Sequence, residues 1–163
     1  MGWTVPRTGP RVAQQIAHQH NLDWIICDGS PGIGCSVIAS LTGASLALFV
    51  AEPTASGLHD FRRVAELTRQ LGVAGLLVVN KADLNEQVTE QLEQEGRRYG
   101  ITAVGRVPYD PDVTRAQIAR QSVVEASRGP AASAIRAVWA EVEPRLRSTL
   151  PTSAGGLLQL APG

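Results

Sequence analysis

This sequence predicts an α/β fold built on a parallel sheet, and three observations carry that reading. Continuous apolar runs recur at Trp24-Ile25-Ile26-Cys27, Leu46-Ala47-Leu48-Phe49-Val50 and Leu76-Leu77-Val78-Val79. Between them lie stretches with apolar residues at helical spacing, such as Phe61, Val64, Ala65, Thr68 and Leu71. The first run ends in Asp28 and opens into a glycine-rich turn, Gly29-Ser30-Pro31-Gly32-Ile33-Gly34. Strands that are apolar at every position are buried on both faces, and strands alternating with helices imply a parallel sheet covered by helices on both sides.

Taken in order, Thr8 or Gly9 caps a first helix entered at Pro10, with Val12, Ile16 and Ala17 on one side and its end near Asn21. After the Asp28 strand, the small residues from Val37 to Ala44 predict a short helix, and Leu46–Val50 a second strand. Glu52-Pro53-Thr54 leads into the helix bearing Phe61 and Leu71, which Gly72 closes. Gly75–Val79 is a third strand. The helix after it carries Val88, Leu92, Gly96 and Tyr99 on one stripe and ends at Gly100. A fourth strand at Ala103–Val107 breaks at Pro108, and a long final helix has Ile135, Val138, Trp139, Val142 and Leu146 in register. Residues 148–163 show no clear period and predict a flexible tail behind one domain spanning 1–147.

At 163 residues the chain suits one domain, and its 15 lysines and arginines balance 15 aspartates and glutamates. That balance points to no polyanion partner, neither nucleic acid nor an acidic membrane. Two cysteines form no disulfide framework and no metal pair, which fits a reducing cytoplasm. The opening residues lack the blocks of a signal peptide, and no apolar run approaches the length of a membrane span.

The polar residues at the strand ends carry the chemistry. Aspartate is common at strand ends and Asp-Gly is a frequent turn dipeptide, so Asp28 alone means little. In a parallel α/β sheet, however, a carboxylate at the carboxyl edge sits where ligands bind, able to hold a water on Mg²⁺. Gly32 and Gly34 let backbone amides approach a phosphate and suit a loop that moves when that phosphate leaves. The third strand ends in Asn80-Lys81-Ala82-Asp83, the N-K-x-D pattern that nucleotide-binding proteins use to read a base. The plain alternative is an Asx turn capping the helix that starts near Asn85. An Asn80 amide can pair with a purine, and an Asp83 carboxylate can accept from guanine N1 and N2; adenine lacks that donor pair, so base identity stays open. Pro108-Tyr109-Asp110 follows the next strand at the same edge and could flank the base. No G-x-x-x-x-G-K-[ST] loop occurs anywhere. His18 and His20 face different directions on a helix, and Cys35 reads as an inert thiol with a redox role as its alternative.

Together the segments DWIICDGSPGIGC, LALFVAEPTASGLHDFRRVAEL, LLVVNKADL and VGRVPYDPDVTRAQIARQSVVE resemble the second half of the MinD/ParA/Mrp-type (SIMIBI) P-loop ATPases. The nearest group is the MinD-superfamily ATPases with an inserted ferredoxin domain, often labelled cobyrinic acid a,c-diamide synthase-like (CobQ/CobB). The similarity runs from roughly Ala13 to Val142. It implies a P-loop NTPase-like, Rossmann-like three-layer fold lacking its P-loop strand, with ATP and Mg²⁺ as cofactors. It gives Asp28 the magnesium-water role and Pro31-Gly32 the switch loop. Asn80 then contacts adenine, while Pro108 and Asp110 lie in the base-side loop.

Absent from the sequence are the P-loop and its lysine, the magnesium-binding Ser/Thr, and the cysteine-rich insert that holds iron–sulfur clusters in that group. Family members usually read D-G-P-P-G where this chain has Asp28-Gly29-Ser30-Pro31-Gly32. The expectation is therefore the switch-loop and base-binding half of an ATP-binding protein, inactive as an ATPase alone. Alternatives are a non-catalytic assembly subunit completed by a P-loop-bearing partner or a homodimer, a GTPase-like half using N-K-x-D literally, and a truncated product. In related folds the missing strand lies between those ending at Asp28 and Val50. Its loss leaves unpaired backbone groups unless the neighbours close up or another segment fills the gap.

Overall fold

The computed structural model describes residues 10–29, 35–149 and 156–162. Five strands form one parallel sheet: β1 (Trp24–Asp28), β2 (Leu46–Ala51), β3 (Ala74–Asn80), β4 (Thr102–Val107) and β5 (Gly156–Pro162). Their spatial order is β1-β5-β2-β3-β4. The helices are α1 (Pro10–Gln19), α2 (Cys35–Leu41), α3 (Ala55–Gln70), α4 (Glu86–Arg98), α5 (Pro111–Ile118), α6 (Val123–Ala126) and α7 (Pro130–Ser148). The α/β class and parallel sheet expected from the sequence are observed. The expected cap at Thr8 or Gly9 lies outside the described residues.

Alternation along the strands builds two cores. On one face Ala47, Phe49, Ala51, Leu77 and Val79 pack against Val37 and Leu41 of α2, Phe61 and Val64 of α3, and Leu92 of α4. Phe49 and Phe61 meet edge to face with ring centroids 5.2 Å apart. On the opposite face Leu46, Leu48, Leu76, Val78 and Val107 pack against Val138, Val142 and Leu146 of α7. Full burial of each such side chain stabilises by about 1.5–3 kcal/mol. Gly105 sits where α7 crosses β4, since a Cβ there would meet Val138 Cγ2 at 2.5 Å. Trp139 reads as part of the apolar stripe of α7 in sequence but is 40% exposed.

The glycine ends anticipated for two helices hold. Gly72 closes α3 with φ +68°, and Gly100 closes α4 with φ +73°. In that left-handed conformation the amides of Val73 and Ile101 return to the carbonyls of Thr68 and Gly96, satisfying the last turn of each helix. Asn21, at φ 49°, closes α1 similarly, with Leu22 N–H donating to the Ala17 carbonyl.

One expectation is corrected. Residues after Ser148 are not uniformly unstructured, because 156–162 form β5, paired in parallel with β1 from Trp24↔Gly156 to Asp28↔Leu160 and with β2 from Leu46↔Leu158 to Val50↔Pro162. The sheet thereby has a central strand where one was expected to be missing. The physical reason is tertiary: a gap between β1 and β2 presents two rows of unpaired amides and carbonyls, and a segment of weak local preference is extended by pairing with both. Between Pro108 and the long helix lie α5 and α6.

Candidate functional site

Because all five strands run parallel, their carboxyl ends share one edge. Asn80 and Val107 are register partners on neighbouring strands, and Ala51 pairs with Val79. Three loops, starting at Glu52, Lys81 and Pro108, therefore leave the sheet side by side. Asp28 ends β1 on the same edge, three strand positions from Asn80, a span of about 14 Å. It lies lower in the sheet, level through Leu160 with Leu48 rather than with Ala51. Pro31 and Gly32, expected in the switch loop, lie outside the described residues.

The predicted site residues differ in what holds them. Asp28 is exposed, and its carboxylate has no hydrogen-bond or ion-pair partner among the described residues. Half-buried Asn80 likewise keeps its side-chain amide without a partner there. Both are unengaged polar groups at strand ends, the condition a ligand needs. Asp83 is engaged: its Oδ1 accepts from the Tyr109 backbone N–H at 2.6 Å. Tyr109 itself is 52% exposed on the rim, beside half-buried Pro108.

Asp110, expected in the base-side loop, lies in the loop after β4 with its carboxylate engaged within the protein. Only 8% exposed, it caps α5 by accepting from Asp112 N–H at 2.9 Å through Oδ1. Its Oδ2 accepts from Ala131 N–H, 3.2 Å away, in the first turn of α7. Both carboxylate oxygens thus satisfy helix N-termini, where negative charge also favours the helix dipole. The Gly129 α-carbon lies so close that a Cβ there would stand 2.8 Å from Asp110 Oδ2. Asp112 accepts in turn from Ser127 Oγ at 2.7 Å, and that hydrogen bond, with Arg115 nearby, holds its carboxyl below the ordinary range. The pair Asp110-Pro111, a cap followed by proline in the first helical turn, is the sequence signal that marks α5.

Sequence reasoning missed the pair between Lys81 Nζ and Glu52 Oε1, 2.7 Å apart, which ties the loop after β2 to the loop after β3. Lys81 occupies the left-handed region at φ 53°, ψ 41°, a position costly for a residue with a Cβ. The 3-10 turn Ala82–Leu84 follows, and buried Thr89 of α4 donates its hydroxyl to the Ala82 carbonyl at 2.9 Å. Asn85, rather than Asn80 or Asp83, caps α4 by accepting from Val88 N–H. Gly57 allows the loop after β2 to fold tightly, since a Cβ there would meet the Glu52 carbonyl oxygen at 2.4 Å.

The residues present fit one implied cofactor set and not the other. A carboxylate at the end of β1 and an amide at the end of β3, each without a partner among the described residues, suit magnesium-bound water and a purine respectively. Cys27 is half-buried on β1, its thiol pushed up by burial, and Cys35 is exposed at the start of α2. Two cysteines do not supply four thiolates, and no group of three or more His, Cys, Asp and Glu able to hold a metal occurs among the described residues. His18, His20 and His59 are all exposed. No helix among the described residues is long and apolar enough to cross a membrane.

No protein-family model matches the chain. It is 30% identical over 99 residues to the uncharacterized protein MJ0578 of Methanocaldococcus jannaschii, covering 61% of this chain and 32% of that protein. Among solved structures, the MinD cell division protein of Aquifex aeolicus superimposes with a TM-score of 0.69 at 20% identity, over 82% of this chain and 58% of that one. The same protein in the MinC:MinD complex gives 0.69 at 20% identity over 90% and 61%. The Pyrococcus furiosus cell division ATPase MinD gives 0.59 at 19% identity over 71% and 49%. This chain spans a third of the length of the first of these relatives and about half to three fifths of the others. What these likenesses establish is the fold: the chain has the parallel α/β architecture of the MinD cell division proteins over most of its described length.

Proposed function

We propose that this chain is the switch-loop and base-binding half of a MinD-like ATP-binding protein and that it lacks ATPase activity by itself. The observation that supports this best is the pair of unengaged polar groups, Asp28 and Asn80, at the ends of parallel strands on one edge of a MinD-like sheet. Asp28 holds a water on Mg²⁺ and so fixes the phosphate end. When bound, Mg²⁺ neutralises phosphate charge. Asn80 donates and accepts across the purine edge, and the Pro108–Tyr109 backbone flanks the base. The sequence carries no G-x-x-x-x-G-K-[ST] loop, the element whose backbone and lysine stabilise charge on a transferring phosphoryl group.

Calorimetric titration of the full chain with MgATP tests the reading. Saturable binding that weakens about tenfold or more in both Asp28→Asn and Asn80→Ala is expected, each change removing a hydrogen bond or metal contact. No measurable affinity for ATP or GTP in the presence of Mg²⁺ would overturn it, and preference for GTP would favour the GTPase-like alternative.

A second reading, an assembly subunit joined to a partner, has its own observation. β1 is an edge strand, and its Ile26 is 56% exposed on the face that α7 covers farther along the sheet. One of the similar MinD structures is a complex with MinC. β5 already lies between β1 and β2, so a strand from a partner chain would pair at the outer edge of β1 or β4, or displace β5. A monodisperse monomer that recovers no partner on co-purification would remove this reading.

A further inference from the structure

We infer that Asp83 is a positioning residue that latches the loop after β4 onto the loop after β3, and not a reader of the base. The inference concerns the nucleotide site proposed above, but its first readout stands without any nucleotide.

The N-K-x-D pattern assigns the aspartate to guanine, where both carboxylate oxygens must face outward to accept from N1–H and N2–H together. In this chain the Asp83 carboxylate is oriented instead by Tyr109, a residue 26 positions on, whose backbone N–H reaches Oδ1 at 2.6 Å. That short, charge-assisted bond fixes Oδ1 toward the neighbouring loop. The loop it holds is braced from behind as well, since Asp110 anchors the next residue to the first turns of α5 and α7. On the other side, Thr89 fixes the 3-10 turn through Ala82, and Glu52 holds Lys81. Asp83 therefore closes a chain of contacts running from the loop after β2 to the start of α7. Within it Asn80 keeps a free amide and Tyr109 stays exposed on the rim. The division of labour is that Asn80 contacts the base while Asp83 sets where Tyr109 stands.

Asp83→Asn keeps a carbonyl acceptor for the Tyr109 amide, whereas Asp83→Ala removes it. Amide hydrogen exchange of the full chain is expected to show Tyr109 about tenfold faster or more in Asp83→Ala, as loss of a hydrogen bond to a charged group implies, and near wild type in Asp83→Asn. Unchanged exchange at Tyr109 in Asp83→Ala overturns the latch. The second readout is a panel of ATP, GTP and XTP. A positioning role predicts that Asp83→Ala weakens every base alike, that Asp83→Asn restores the affinity, and that the order of preference never changes. A base-reading role predicts that Asp83→Asn loses GTP and gains XTP, and that result also overturns the proposal. If the wild-type chain binds no nucleotide, the functional proposal falls while the exchange measurement still decides the latch.

Discussion

The two sides of the sheet are built to different standards. Around β2, β3 and β4, helices cover both faces, Phe49 and Phe61 interlock, and the rim loops are cross-tied through Glu52–Lys81, Asp83–Tyr109 and Asp110. Around β1, Ala13, Ala17 and Ile25 form a small buried cluster among the described residues, and Ile26 stands 56% exposed. The well-braced side carries the residues suited to hold a base, a rigid ligand that rewards fixed geometry. The side with the smaller described cluster carries Asp28, next to the glycine-rich segment proposed to switch. Elements that must rearrange come from the less stable part of a fold.

Breaking the braced side has the largest expected effect. Phe49→Ala empties the centre of the main cluster and is expected to cost about 3–5 kcal/mol, measured by urea unfolding. A loss below ~1 kcal/mol would mean that this side is no better packed than the other. Next comes Asp110→Ala, which removes acceptors from two helix N-termini; about 2 kcal/mol is expected, together with faster exchange of the Asp112 and Ala131 amides.

A smaller effect sharpens the comparison at the edge of the braced side. Arg106 on β4 donates to Glu93 of α4 through both Nε and Nη2, holding the Glu93 carboxyl below its usual range. A carboxylate depressed in the folded state stabilises above its unfolded pKa of about 4.3, and that contribution disappears as pH falls through the folded value. Glu93→Gln is thus expected to lose roughly 0.5–1 kcal/mol at pH 7, the pair being partly exposed, with the deficit vanishing in acid. Equal deficits at pH 7 and pH 3 would remove the ion pair as the cause. Smallest of all, Ile26→Ser should stay within about 0.5 kcal/mol of wild type, since more than half of that residue already lies in solvent.

Much of the braced side was legible in the sequence. Leu46–Val50 and Gly75–Val79 are continuous apolar runs because both faces are covered, and Gly72 and Gly100 end helices because both need a positive φ. The strand-end positions of Asp28 and Asn80 followed from those runs. What the sequence hid is tertiary. Asp83 and Asp110 look like any acidic residues in a turn until the loop after β4 and the start of α7 arrive beside them. β5 has Leu157, Leu158 and Leu160 between Gly156 and Pro162, too short a pattern to announce a strand without β1 and β2 on either side.

That last strand also dictates an order of events. Trp24 pairs with Gly156 and Leu46 with Leu158, so the seam between the first two strands stays open until residues far downstream in the sequence have been made. Closing it demands contacts of very long sequence separation, which form slowly and leave raw strand edges available to other molecules in the meantime. Until β5 is seated between them, β1 and β2 each present an adhesive row of unpaired amides and carbonyls.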